Sequence, residues 1–133
     1  MARLRLDIVT PDRVALSTEA DYVSLPGVEG EFGILPGHVP VFAALQMGCM
    51  HYQNDNLTLY ATISGGFAEI ANDTIQVLVD TAELAAEIDV VRAEAALRRA
   101  RERLVAQRDN INIIRAETAL QRAIIRLRAA EFK

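Results

Sequence analysis

Through about Asp80, apolar residues return at every second position. Leu4, Leu6 and Ile8 do so in RLRLDIV, Leu57, Leu59, Ala61 and Ile63 in NLTLYATI, and Ile75, Val77 and Val79 in DTIQVLVD. Successive side chains of an extended chain point to opposite faces, so this period predicts strands that bury one face. Turn-forming residues interrupt the runs at short intervals: Thr10-Pro11-Asp12, Pro26-Gly27, Gly30, Gly33, Pro36-Gly37, Pro40, Asn54-Asp55-Asn56, Gly65-Gly66 and Asn72-Asp73. All 7 glycines and all 4 prolines lie before residue 67. Many short antiparallel strands, folded as a sandwich or flattened barrel, fit this pattern best.

After Asp80 glycine and proline are absent and the period changes. Ala93, Leu97, Ala100 and Leu104 recur at helical spacing, as do Ile113, Ala116, Leu120, Ala123 and Leu127. QRDN separates the two segments, and Asp109 or Asn110 can cap the second by accepting its free N–H groups. Asp89 suits the first cap, with Ile88 and Ala93 at the positions of a hydrophobic staple. The chain is therefore expected to be α+β, an N-terminal antiparallel β-sandwich over residues 1–84 followed by an antiparallel two-helix hairpin over 85–133. Alanine stripes bring helix axes close but bury little area, so the hairpin is expected to be held weakly enough to come apart.

The chain has 133 residues and is 51% hydrophobic, enough for a compact core. It shows no apolar run of ~18 residues and no export-signal pattern at its start, which points to a cytoplasmic protein without direct membrane insertion. The single cysteine, Cys49, reads as a packing residue, and His38 and His51 stand apart from any cluster of metal ligands. No nucleophile elbow, phosphate loop or cysteine–histidine arrangement is present, and the only lysine is Lys133. Gly65-Gly66 has no helix after it and reads as a tight turn. The chain is expected not to be an enzyme and to require no cofactor.

Net charge is −4, but it is unevenly divided. Residues 1–87 hold three arginines against twelve acids, whereas residues 88–133 hold ten arginines and Lys133 against six. Arg92, Arg99 and Arg103 share a helical face, and Arg115, Arg122 and Arg126 repeat the same offsets on the second helix. In a hairpin the two rows can border one cleft with Asp89 at its mouth, where planar guanidinium forks suit phosphate oxygens. A solvated surface laced with Glu94, Glu102 and Glu117, or an interface with an acidic protein, are the other readings of the same rows. Nucleic acid is not expected, because no aromatic lies between residues 68 and 131 and the strand half is acidic.

VEGEFGILPGHVP (28–40), ISGGFAEI (63–70), VLVDTAELAAEID (77–89) and the arginine- and alanine-rich end resemble, in order and spacing, the epsilon subunit of the bacterial F-type ATP synthase. The resemblance implies a non-catalytic rotor subunit. Its sandwich would pack on the gamma subunit and reach the c-ring through Glu31, Phe32, Ile34, Leu35 and His38. Its hairpin would permit ATP hydrolysis when folded on the sandwich. Extended along gamma to the alpha and beta subunits, it would obstruct hydrolysis. The place implied is peripheral, at the cytoplasmic face of the cell membrane.

Ile88-Asp89-Val90-Val91-Arg92-Ala93 is also similar to the motif of nucleotide-sensing members from some bacilli. That similarity implies ATP as a regulatory ligand, with Glu83, Ile88, Asp89 and Ala93 near the adenosine and Arg92, Arg99, Arg122 and Arg126 around the phosphates. Asn110 and Asn112 depart from the more acidic interhelical turn of close relatives. Two rival readings remain: a free cytoplasmic ATP sensor, and a structural adaptor whose hairpin never opens.

Overall fold

A computed structural model describes residues 3–106 and 110–131, with the side chains of 110–112 outside the description. Among the described residues ten strands precede two helices: β1 Leu4–Val9, β2 Val14–Ala20, β3 Tyr22–Gly27, β4 Gly30–Ile34, β5 Val41–Leu45, β6 Gly48–Asn54, β7 Leu57–Ile63, β8 Gly66–Ala71, β9 Thr74–Val79 and β10 Ala82–Leu84. A single 3-10 turn, Ala85–Glu87, leads into α1 (Val90–Ala106) and α2 (Asn110–Ala130).

The strands run in the order β10-β7-β6-β3-β5-β8-β9-β1-β2, with β4 pairing β3. β3 and β5 share a single paired position, Gly27 with Leu45, so the sheet folds over on itself there. Leu4, Leu6, Ile8, Ile70, Ile75 and Val77 from one half meet Val23, Leu25, Met50, Ala61 and Ile63 from the other in one buried core. This is the expected sandwich, and period two explains it: the buried positions of β1 and β9 are the alternate apolar ones. One pair departs from the antiparallel rule, since β1 runs parallel to β9. In β7 the stripe buries only its end, Ala61 and Ile63, while Leu57 and Leu59 stay exposed.

Several of the turn signals fall inside strands. Pro26 and Gly27 close β3, Gly30 opens β4, and Gly33 lies within β4 where Tyr22 crosses it: a Cβ on Gly33 would collide with the Tyr22 hydroxyl. Gly65 and Gly66 were expected to form a tight turn, but Gly66 already opens β8, and because β7 and β8 do not pair, the link carries the chain from one part of the sheet to another. The φ values of the two glycines are 99° and 149°, and a Cβ on Gly66 would collide with the Leu78 carbonyl oxygen.

The helices pack on each other, and α2 is the one that rests on β6, β7 and the 3-10 turn. Ala93 and Ala100 of α1 and Ala116 and Ala123 of α2 are buried, so the alanine stripes form the expected seam. Ala129 continues it onto the sandwich, where it meets Ala85 and Ile88, with Cys49, Tyr60 and Ala130 around them. The Arg92 backbone N–H donates to Asp89 Oδ1 at 3.1 Å, which makes Asp89 the cap of α1. The second cap, expected at Asp109 or Asn110, lies outside the described side chains.

Candidate functional site

Where α2 meets the sandwich, a cleft of about 210 Å³ opens between Thr62, Ile63 and Ser64 at the end of β7, Thr81 to Glu83 leading into β10, and Arg122, Ile125 and Arg126 of α2, with Met47 beside them. Each wall follows from a local rule. β10 pairs with β7, matching Glu83 to Thr62, and so carries the Glu83 carboxylate to the sandwich edge. Arg122 and Arg126 are four residues apart and share the helix face turned to that edge. The Thr81 N–H donates to Ser64 Oγ at 3.0 Å, which fixes the hydroxyl rim.

Arg126 presents a fork to Glu83. Its Nε donates to Oε1 at 2.8 Å and its NH2 to Oε2 at 3.2 Å, and both side chains are only partly exposed. Bidentate guanidinium–carboxylate pairs of this kind are the stronger class of charge-assisted hydrogen bond. Arg122 is exposed and brings a second guanidinium to the rim. The cleft thus offers two cations, one carboxylate and three hydroxyls.

Three of the eight residues expected around a nucleotide, Glu83, Arg122 and Arg126, therefore come together here. The other five lie elsewhere in the docked hairpin. Ile88 and Ala93 are buried in packing, Asp89 caps α1, and Arg92 and Arg99 are exposed on α1, outside the cleft lining. The hydroxyls of Thr62, Ser64 and Thr81 escaped the sequence reading, since strand residues far apart in the chain carry no local mark of a shared cleft.

Beneath α2, the Cys49 thiol donates to the Ile125 carbonyl oxygen at 3.6 Å. Burial pushes this thiol above its ordinary range, and the Arg128 guanidinium draws it back in part. Among the described residues, no three His, Cys, Asp or Glu side chains gather as metal ligands.

A second candidate surface lies on the sandwich. Of the residues expected to face the c-ring, Ile34 is wholly buried and Phe32 packs against the core, both within strand β4. Glu31 is exposed and accepts a hydrogen bond from Ser24, and Leu35 and His38 belong to the turn that follows, where Leu35 is 60% exposed. Asp73 Oδ1 accepts the Gly37 N–H at 2.7 Å, tying this turn to the one between β8 and β9. Nearby, on the outer face of β5 and β8, the Phe42 and Phe67 rings stack with centroids 5.3 Å apart. They are 64% and 49% exposed, and exposed Leu78 is paired with Phe67 across β9. This apolar ridge was missed. Its signal was parity: Glu69 marks the outward positions of β8, and Phe67 shares them.

Residues 3–85 match the family described as ATP synthase, Delta/Epsilon chain, beta-sandwich domain, and residues 86–131 match its long alpha-helix domain. The ATP synthase epsilon chain of Lawsonia intracellularis is 56% identical over 124 residues, covering 93% of this chain and 93% of that one. The epsilon chain of Desulforamulus reducens is 50% identical over 127 residues, covering 96% of each. Among solved structures, a chain of the Euglena gracilis mitochondrial ATP synthase, in a complex with its c-ring, superposes with a TM-score of 0.84 at 26% identity, covering 98% of this chain and 82% of that one. A chain of the Tetrahymena thermophila mitochondrial central stalk and c-ring shares the fold, with a TM-score of 0.63 at 14% identity and 97% coverage of each.

Proposed function

The chain belongs to the ATP synthase delta/epsilon-chain family as an epsilon chain, a non-catalytic subunit, and on that premise we propose that it turns with the central stalk and gates ATP hydrolysis through its hairpin. The sandwich packs on gamma through the Phe42–Phe67 ridge. An apolar face of this kind, rimmed by Glu29 and Glu69, is costly to leave in water and suits a protein partner. A free ATP sensor has no use for it. The turn at Leu35 and His38, with Glu31 behind it, meets the c-ring at the cytoplasmic face of the membrane. No described helix is long and apolar enough to cross that membrane.

The observation that carries the gating reading is the way the hairpin is held. Its contact with the sandwich runs mainly through α2, on a small cluster of Ala85, Ile88 and Ala129 with Cys49, Tyr60 and Ala130 around it, beside a cleft that presents Arg122 and Arg126. So few buried side chains give a shallow free-energy well. ATP binds at that cleft with its phosphates on the guanidinium groups and favours the docked hairpin by RT ln(1 + [ATP]/Kd), ~2.7 kcal/mol at a hundredfold excess over Kd. When the helices leave, the freed arginines face acidic surface on the alpha and beta subunits and hydrolysis slows. Extended, the 21 residues of α2 reach ~30 Å.

Co-purification with gamma, followed by cysteine cross-linking from positions 31 and 38 to the c-ring, tests the rotor placement. A stable complex that cross-links at either position is the expected result. No complex with gamma would return the chain to the free-sensor reading.

A further inference from the structure

We propose that Glu83 and Arg126 form a latch that docks α2 on the sandwich with no ligand present, the Glu83 carboxylate taking the place at Arg126 that a phosphate would otherwise occupy. The latch rests on the reading above in treating the hairpin as mobile, and its competition with phosphate rests on the ATP reading as well.

Three features of the pair make it a latch and not one more surface ion pair. First, it joins two bodies: β10 is bound to the sandwich through Thr62, whereas Arg126 rides on α2, 43 residues away in sequence. Second, both Nε and NH2 are engaged, at 2.8 and 3.2 Å, which fixes the helix in rotation as well as in distance. Third, the pair is sheltered, with side-chain exposures of 24% for Arg126 and 31% for Glu83. The pair between Arg13 and the 3-10 turn residue Glu87, at 3.9 Å and exposures of 52% and 44%, is longer and wetter. Exposed pairs contribute little, and a sheltered bidentate pair contributes more. Against a contact otherwise made by the small cluster of Ala85, Ile88 and Ala129 with Cys49, Tyr60 and Ala130 around it, this pair decides how much of the population is docked.

The same geometry gives the pair a second consequence. A guanidinium fork filled by a carboxylate must release or share it before it can hold a phosphate, so the carboxylate sets the resting occupancy of the cleft.

Cys49, the only cysteine, reports on docking because it lies half-buried under α2. Its alkylation by iodoacetamide in the nucleotide-free full chain, followed by mass spectrometry at fixed pH, reads the open population. Glu83→Gln and Arg126→Gln should each speed alkylation by about tenfold, and the charge-swapped double variant Glu83→Arg/Arg126→Glu should return to within about threefold of the unaltered chain. Arg13→Gln should leave the rate unchanged. Unaltered rates in both single variants, with an intact strand-type circular dichroism spectrum, would overturn the latch. So would a double variant as fast as the singles, since loss of packing and not of the ion pair would then be responsible. No nucleotide enters the experiment, so its failure leaves the ATP reading standing, and a chain that fails to bind ATP leaves the latch standing.

Discussion

Asp89 and Arg92 are joined through the backbone: the Arg92 N–H donates to Asp89 Oδ1 at 3.1 Å and closes the first turn of α1. Whatever else the Ile-Asp-x-x-Arg-Ala stretch does, its aspartate holds a helix start, and the Ala93 N–H donating to the Asp89 carbonyl at 3.0 Å completes the turn. Asp89→Ala should therefore fray α1 and cost ~1 kcal/mol of hairpin stability, with Asp89→Asn retaining most of it. Amide hydrogen exchange at Arg92 and Ala93 measures this. Protection unchanged in the alanine variant would show that the cap carries no weight.

The main core draws its fully buried residues from β1 to β9 and none from the helices, with Val79 the last of them. Residues 1–84 should accordingly fold alone, giving a strand-type circular dichroism spectrum and a cooperative melt. Helical signal in that fragment, or a melt without cooperativity, would mean that α2 is part of the folding unit.

Phe67 points away from that core, so Phe67→Ser should change sandwich stability by under ~0.5 kcal/mol while weakening gamma binding by at least ~2 kcal/mol, the scale of an aromatic anchor at an interface. Thermal melting and titration against purified gamma separate the two effects. Equal losses in both would place Phe67 in the fold and not at a partner.

The fold was legible wherever one face of an element is buried. Period two marks β1 and β9 because their alternate residues enter the core, and the alanine stripes mark the helix seam because small residues let axes approach. What was not legible came from contacts between distant segments. Nothing local marks β1 as running beside β9 in parallel, nor Gly33 as a strand residue that makes room for Tyr22. The candidate site divides the same way. The spacing of Arg122 and Arg126 placed them on one face in advance, but the pairing of Arg126 with Glu83 depends on β10 lying along β7. The facing row, Arg92 and Arg99, was expected on the same cleft. In the docked hairpin these two stand outside it, because α2 alone lies between the strands and α1.

If the cleft holds phosphates, Arg122→Ala and Arg126→Ala should each weaken ATP binding by ~1.5 to 3 kcal/mol through loss of charge-assisted hydrogen bonds, while exposed Arg101→Ala should do little. Calorimetric titration of the full chain compares the three. Identical affinities would leave the arginines as a protein-facing surface.

The most direct test of the gating account is the ATP hydrolysis rate of the assembled enzyme carrying either the whole chain or residues 1–87 alone. The account predicts faster hydrolysis without the hairpin, with the gap between the two enzymes narrowing as ATP rises and docks the hairpin that remains. Equal rates at every ATP concentration, in enzymes shown to contain both forms of the subunit, would contradict it and leave a structural adaptor whose helices never leave the sandwich.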